Sequence, residues 1–278
     1  MVCKKQFQNK RRKQKLFRKI FQDHVWKRQT VGDLKEKYHR SRNWIRKAID
    51  QSKVRESQNT PAEKVVCVFD ATHIGEEVLL TARAPHLKRN LGWAWIPSET
   101  KEAYAALRYN IESRGYIITA VILDGRRGIP RVFDDIPVQI CQFHQMQVVR
   151  RKLTLRPETE AGQKLLSIGL NITKYTHDSL KKELDEWYKK YGKFVEEKTY
   201  ILGTHNFRYT HRRMKSAYQS LVRNLPFLFT YEKHPELNIP NTTNSLDGYF
   251  SRVKNLLSAH RGKSKERIRK IITEILRN

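Results

Sequence analysis

Short apolar runs alternate with helical stretches between residues 65 and 141, and this alternation constrains the fold more than any other feature. Residues 65–69 and residues 117–123 are rich in β-branched side chains, and they end at Asp70 and Asp124. Runs of this length and composition predict buried strands. Residues 77–82 and 138–141 predict two more strands. Residues 98–114 predict a helix with Tyr104, Leu107 and Ile111 as its apolar stripe. Alternating strands and helices predict the α/β class.

The first 60 residues form a strongly basic head. They carry 19 Lys and Arg against 5 Asp and Glu, which is a net charge of +14 and half of the +28 of the whole chain. A charge of this size exceeds what solubility requires and points to a polyanionic partner. Nucleic acid is the first candidate.

Two helices are predicted in this head, each after an N-cap residue. Thr30 precedes a helix that buries Leu34, and Ser41 precedes a second that buries Ile45, while an earlier helix over about residues 16–25 packs behind them. The short joint predicts a helix-turn-helix. The second helix then presents base-reading and phosphate-binding side chains: Arg42, Asn43, Arg46 and Lys47. The alternative is a pair of amphipathic helices with a solvated basic face.

Composition divides the chain into four segments. The polar stretch 51–63 predicts a linker. The expected order is a helix-turn-helix region over 1–55, the first part of the core over 61–157, a helical insertion over 158–238, and the last core helix with a basic tail over 239–278.

Asp70 and Asp124 each follow a predicted buried strand, at the edge where open α/β sheets place their ligands. Paired carboxylates repel each other, and a divalent cation such as Mg²⁺ relieves that repulsion. The best third acid is Asp247, on the helix predicted over residues 244–257. Each acid alone is weak evidence, because Asp-Gly is also an ordinary turn.

Four motifs carry a resemblance over about residues 60–278. They are Val68-Phe69-Asp70, Leu123-Asp124-Gly125-Arg126-Arg127-Gly128, Cys141-Gln142-Phe143-His144 and Asn241-Thr242-Thr243-Asn244-Ser245-Leu246-Asp247-Gly248. Together they resemble bacterial insertion-sequence transposases of the Mutator-like group, the mobile-element enzymes with a DDE motif. The resemblance implies an RNase H-like mixed sheet with flanking helices and an all-α insertion. It also implies a carboxylate triad of Asp70, Asp124 and Asp247, although the third acid of that family is commonly Glu.

The resemblance also implies a chemistry and its partners. The triad is expected to hold two Mg²⁺ or Mn²⁺ ions and to direct water, then a 3′-hydroxyl, at DNA phosphodiesters. Double-stranded DNA, as transposon ends and as target, is the expected partner, with a homo-oligomer assembled on it. No nucleotide cofactor is expected, because the chain has no GxxxxGK[ST] loop.

Further residues are candidates for DNA contact. Cys141 and His144 form the family's Cys-x-x-His signature, but they supply two of the four ligands of a structural zinc, which favours a structural or DNA-contacting role. Basic residues expected to meet phosphates are Arg126, Arg127, His205, Arg208, His211, Arg212 and Arg213. For the last five, a solvated helix face is the alternative. Leu180, Leu184 and Trp187 predict the apolar stripe of a helix. Trp187 is therefore expected in the core, with stacking on an unpaired base as the alternative.

Two rival functions remain open from the sequence. One is an RNase H-like structure-specific nuclease, and the other is a transposase-derived DNA-binding protein without catalysis. Three dispersed cysteines and the lack of an apolar run of about 18 residues or a secretory signal predict a cytoplasmic, nucleoid-associated protein without a disulfide framework or membrane contact. Residues 1–8 resemble the end of a zinc ribbon. We therefore expect that the chain begins inside a longer protein or is an N-terminally shortened copy, with Cys3 a free thiol.

Overall fold

A computed structural model describes residues 10–54, 63–259 and 263–277. The zinc-ribbon remnant predicted at residues 1–8 and most of the predicted linker lie outside this range. The described residues contain eleven α-helices and seven strands: α1 (Lys10–Trp26), α2 (Val31–Tyr38), α3 (Arg42–Gln51), β1 (Lys64–Ile74), β2 (Glu77–Ala84), β3 (Arg89–Ile96), α4 (Lys101–Glu112), β4 (Ile117–Leu123), β5 (Val138–Ile140), α5 (Gln142–Leu153), α6 (Glu160–Leu170), α7 (His177–Val195), β6 (Lys198–Tyr200), β7 (Phe207–Tyr209), α8 (Arg212–Leu228), α9 (Thr230–Lys233), α10 (Asn244–Ser258) and α11 (Lys265–Leu276).

Five strands form one mixed sheet in the order β3-β2-β1-β4-β5. The first three pair antiparallel, while β4 and β5 run parallel to β1. Helices lie on the sheet, so the predicted α/β class is confirmed, and the strand order is compatible with an RNase H-like fold. Among the described residues, none of the helices is long and apolar enough to cross a membrane.

Strand β1 differs from the prediction at its end. It continues four residues past Asp70, because β2 folds back antiparallel and pairs with it as far as Ile74. Asp70 therefore lies inside the strand and not at its end. The edge strand β3 was not predicted, since its half-buried residues show no clean alternation of apolar and polar side chains.

A first hydrophobic cluster lies between the sheet and α4. Phe69 of β1 contacts the rings of Tyr104 and Phe133 at centroid distances of 6.1 and 5.0 Å. Tyr104, Leu107 and Ile111 of α4 are all buried, as the predicted apolar stripe requires. This cluster fixes α4, and with it the residues just before α4, against the edge of the sheet.

A second cluster holds α5 to α9 together. It buries Leu180, Leu184 and Trp187 of α7 against α5, α6 and α8, which confirms the predicted stripe. The segment is not wholly helical, because β6 and β7 form a small antiparallel hairpin. Its six strand residues are exposed or half-buried, so no hydrophobic pattern in the sequence marked it.

The chain divides into two compact units, Ala62–Leu246 and Met1–Pro61 with Asp247–Asn278. We call them the sheet unit and the head unit. In the head unit, the side chain of Thr30 caps α2 in a capping box with Asp33, and the hydroxyl of Ser41 accepts from the Trp44 amide to cap α3. Both predicted helix starts are confirmed. The four predicted DNA-reading residues of α3 are exposed: Arg42, Asn43, Arg46 and Lys47.

Helix α11 belongs to the head unit, whereas the sequence assigned residues 239–278 to the core and read residues 260–277 as a basic tail. Its Ile271, Ile272 and Ile275 are buried at helical spacing. The Arg18 guanidinium binds both carboxylate oxygens of Glu274, with a shortest distance of 2.6 Å. The abundant charges of this segment obscured its apolar stripe.

Candidate active site

Asp70 and Asp124 emerge on the same face of the sheet. The parallel register of β1 and β4 pairs Val68 with Ile122, and each acid lies two residues beyond its member of that pair. Because side chains alternate with a period of two, an equal step of two brings both carboxylates to one face of neighbouring strands. Asp70 is 8% exposed, and Asp124 is half-buried.

A third acid, Glu99, joins the site through Tyr104. The Tyr104 hydroxyl donates to Glu99 Oε2 at 3.1 Å. Burial raises the pKa of Tyr104, and the charges of Asp124, Glu99 and Asp70 raise it further. All three carboxylates therefore act on one buried phenol, which stays protonated. The sequence predicted Tyr104 only as part of a core stripe and gave no signal for Glu99.

The loop after β4 is shaped by its own side chains and by two glycines. The Arg126 amide donates to Asp124 Oδ1 at 2.9 Å, and the Arg126 guanidinium binds Glu99 at 2.7 Å. Gly125 and Gly128 have φ of +81° and +88°, which L side chains rarely adopt. A Cβ at Gly125 would also lie 2.9 Å from Ile140 Cγ2. This loop therefore holds Asp124 at a fixed place beside β1.

The Cys-x-x-His signature contacts the segment that precedes α10. The Thr243 amide donates to Cys141 Sγ at 3.2 Å, and the Thr243 hydroxyl lies 3.3 Å from His144 Nδ1. Burial opposes ionisation of Cys141, but hydrogen bonds from His144 and Thr243 outweigh it and lower the pKa of this thiol. The signature thus fixes Thr243, the residue before α10.

His144 and Asp70 are close neighbours, because a ring nitrogen of His144 and a carboxylate oxygen of Asp70 lie within 4.8 Å. Asp247 follows Leu246, the last residue of the sheet unit, and lies in the first turn of α10. The side chain of Leu246 is fully buried, and that of Asp247 is half-buried.

The predicted phosphate-binding residues outside the head divide into exposed and engaged side chains. Arg127, Arg212, His205 and Arg208 are exposed. Two more of these predicted residues, Arg213 and His211, have partners within the sheet unit. Arg213 donates to the Arg151 carbonyl at 2.8 Å. The His211 ring stacks on Phe194 at a centroid distance of 3.8 Å, and its Nε2 lies 3.1 Å from Glu197 Oε2.

Trp187 is part of the core and does not offer a face for an unpaired base. Its side chain is 4% exposed, its ring stacks on Tyr218, and its Nε1–H donates to the Ala161 carbonyl at 3.0 Å. The base-stacking alternative is therefore wrong for this residue.

None of the protein-family models searched matches the chain, and no curated protein matches its sequence.

The donor set of the sheet unit suits a divalent cation. Asp70 and Asp124 offer carboxylate oxygens, the ligands that Mg²⁺ and Mn²⁺ prefer, and His144 offers an imidazole nitrogen within reach of Asp70. The carboxylates of Asp124, Glu99 and Asp70 raise the pKa of Tyr104, which is consistent with a negative electrostatic potential at this edge of the sheet. An edge of this kind is able to attract a cation and the phosphate that a cation accompanies.

Proposed function

We propose that this chain is a DNA transposase of the Mutator-like, DDE type, which cleaves and joins DNA strands with divalent cations. One observation carries the proposal: the parallel register of β1 and β4 brings Asp70 and Asp124 to one face of a mixed sheet with the order β3-β2-β1-β4-β5. Support also comes from the motif around Asp247 and from the net charge of +28.

The residues that would hold the metal are Asp70, Asp124 and Asp247. When bound, the ions activate the attacking hydroxyl and stabilise the leaving oxygen of the phosphodiester. Glu99 accepts hydrogen bonds from the Arg126 guanidinium and the Tyr104 hydroxyl. It therefore holds the positive charge of Arg126 and the neutral phenol of Tyr104 close to the other carboxylates. These contacts orient the site and limit the repulsion among its acids.

The head supplies the second part of the proposal, which is recognition of the element's ends by a helix-turn-helix. His39, which caps the end of α2, adopts the left-handed conformation with φ of +50°, and Ser41, two residues later, caps the start of α3. The exposed Arg42, Asn43 and Arg46 lie on the first turns of α3, where a recognition helix contacts base edges.

Strand cleavage by carboxylate variants tests the triad. Asp70→Asn, Asp124→Asn and Asp247→Asn keep the side-chain shape and remove the charge that holds a divalent cation. Each is expected to lose cleavage of element-end DNA in Mg²⁺ or Mn²⁺ while DNA binding persists. Asp247→Glu, which restores the commoner family side chain, is expected to retain partial cleavage.

The matched control is Asp134→Asn, an exposed acid outside the motifs. It is expected to keep most activity, and so is Asp135→Asn, although Asp135 also binds the Arg108 guanidinium at 2.6 Å. Wild-type cleavage by Asp247→Asn would overturn the triad. Binding of ends without any cleavage by the wild-type chain would favour the inactive DNA-binding alternative. Cleavage that ignores end sequence would favour the structure-specific nuclease.

A further inference from the structure

A cationic pocket opens in the sheet unit directly after Asp124. It has a volume of about 530 Å³ and is lined by five basic side chains from three parts of the unit. We call it the arginine pocket, and its basic residues are Lys101, Arg126, Arg127, Arg131 and Arg223. Its described lining includes no Asp or Glu, so the pocket carries a strong excess of positive charge.

The shape of the arginine pocket depends on the backbone of the loop after β4 and on the side chains that pack against it. Gly128 has φ of +88°, and a Cβ there would lie 2.8 Å from Lys101 Cε. The loop after β4 therefore wraps closely around the start of α4. Ile140 and Asn224 pack against Gly125 of this loop and also line the pocket, and Asn224 Nδ2 donates to Gln145 Oε1 at 2.7 Å. This hydrogen-bonded wall gives the cavity a defined shape.

Within the described residues, most of the basic side chains that line the pocket have no ion pair. Arg126 forms an ion pair with Glu99, whereas the structure shows no ion pair for Lys101, Arg127, Arg131 or Arg223 within the described residues. Guanidinium groups match the oxygen geometry of phosphate with paired donors. Several of them converging on one cavity indicate a phosphate-bearing ligand.

An aromatic side chain accompanies the cations. Phe227, near the end of α8, lines the pocket and is 36% exposed, although its neighbour Leu228 is fully buried. Aromatic faces beside a cationic groove are the feature on which unpaired bases stack. The volume lies within the range of ligand pockets, about 300–1,000 Å³, which suits a single nucleotide and not a duplex.

We propose that the arginine pocket binds one nucleotide of a single DNA strand, with its phosphate among the arginines and its base against Phe227. This inference rests on the proposed function, because the strand would be the one that passes Asp124. The pocket begins one residue beyond that acid, so a nucleotide bound there flanks the phosphodiester held at the carboxylates.

Binding of a short fluorescent single-stranded oligonucleotide to the full chain in EDTA tests the pocket without catalysis. Arg127→Gln/Arg131→Gln is expected to weaken this binding about tenfold or more at 0.1 M salt. It should also lower the slope of log affinity against log salt by about 1.4, because each phosphate contact on a single strand contributes about 0.7. Phe227→Leu is expected to weaken binding about tenfold, since base stacking on an aromatic is lost.

Matched controls remove the same chemistry elsewhere. Lys181→Gln/Lys189→Gln removes two charges from the exposed face of α7, and Tyr109→Leu removes an aromatic that is 74% exposed. Both are expected to stay within about twofold of wild type. A duplex of the same length is expected to bind the pocket variants and the wild-type chain alike.

Three outcomes of the affinity measurements would overturn the proposal, and a competition experiment supplies a fourth. The first three are equal losses in the pocket and control variants, an equal loss for duplex and single strand, and a wild-type chain that does not bind the oligonucleotide. A competition experiment distinguishes the phosphate of a DNA strand from free inorganic phosphate. If millimolar inorganic phosphate alone displaces the oligonucleotide, the pocket binds a free anion, and the nucleotide assignment is overturned. The binding measurements require no metal, so they can be interpreted even if the carboxylate variants do not behave as proposed. Likewise, a pocket that does not bind the oligonucleotide leaves the cleavage test unaffected.

Discussion

Replacing Asp23 with Asn is expected to loosen the head, because this acid joins two of its helices. Asp23 lies on α1, and its side chain is 4% exposed. It accepts from Lys37 Nζ at 2.6 Å and from the Tyr38 hydroxyl at 2.8 Å, both at the end of α2, and from Lys27 at 2.9 Å. The carboxylate thus ties α2, and the turn that follows it, to α1.

The size of the effect follows from the pKa of this group. Burial opposes ionisation of Asp23, but hydrogen bonds from Lys37, Lys27 and Tyr38 outweigh it and lower its pKa from 3.8 to about 2. One pKa unit corresponds to about 1.4 kcal/mol, so the ionised carboxylate contributes about 2 kcal/mol to the stability of the head. Because the folded pKa is the lower one, this contribution is present above pH 4 and is lost as the pH falls towards 2.

Hydrogen exchange measured by mass spectrometry reads the head separately from the sheet unit. At pH 7, Asp23→Asn is expected to lower the protection of peptides from α1 and α2 about 30-fold, the equivalent of about 2 kcal/mol. At pH 2 the variant and the wild-type chain should differ little.

Asp50→Asn is the matched control, because Asp50 also forms an ion pair with a basic side chain of the head unit, that of Arg267. Its two carboxylate oxygens accept from Nε and Nη2 of Arg267, at 2.8 and 2.6 Å, but its side chain is 50% exposed. An exposed ion pair contributes at most about 1 kcal/mol. If Asp23→Asn lost no more protection than Asp50→Asn, or if its loss persisted unchanged at pH 2, the assignment of Asp23 would fail.

Four other predictions concern the core, the thiols and DNA. Trp187→Ala should lower the free energy of unfolding by about 3–5 kcal/mol in a denaturant titration, and a variant as stable as the wild-type chain would contradict the place of this side chain in the core. Cys67, whose pKa burial raises, and Cys141 should resist alkylation until the chain unfolds, as mass spectrometry would show. Arg46→Ala should weaken binding to element ends about tenfold more than to random DNA, and equal losses would refute base reading. Overall DNA affinity should fall about 10³-fold or more between 50 and 200 mM salt, and a flat response in fluorescence titrations would contradict the charge argument.

The sequence determined the elements whose signal is local. Strand β4 begins and ends as predicted, because seven consecutive residues rich in β-branched side chains suffice to mark a buried parallel strand. The starts of α2 and α3 follow from Thr30 and Ser41, whose side chains satisfy amide donors a few residues away. Hydrophobic spacing also placed Trp187 among the buried residues of α7.

Other elements carry no such local signal. The exposed β6–β7 hairpin has no buried face to produce a pattern. The charges of α11 hide four buried apolar residues, whose burial follows only from packing within the head unit. Strand β1 passes Asp70 because β2 returns alongside it, a pairing between strands that no single run encodes.

The candidate site divides in the same way. The acids at positions 70 and 124 were visible because each follows an apolar run, but their common face depends on the register between β1 and β4. Glu99 enters only because α4 packs Tyr104 against the sheet, and the arginine pocket forms only because the loop after β4, the start of α4 and the end of α8 converge. Residue types come from the sequence, whereas neighbours far apart in the chain are set by packing, which the local pattern does not contain.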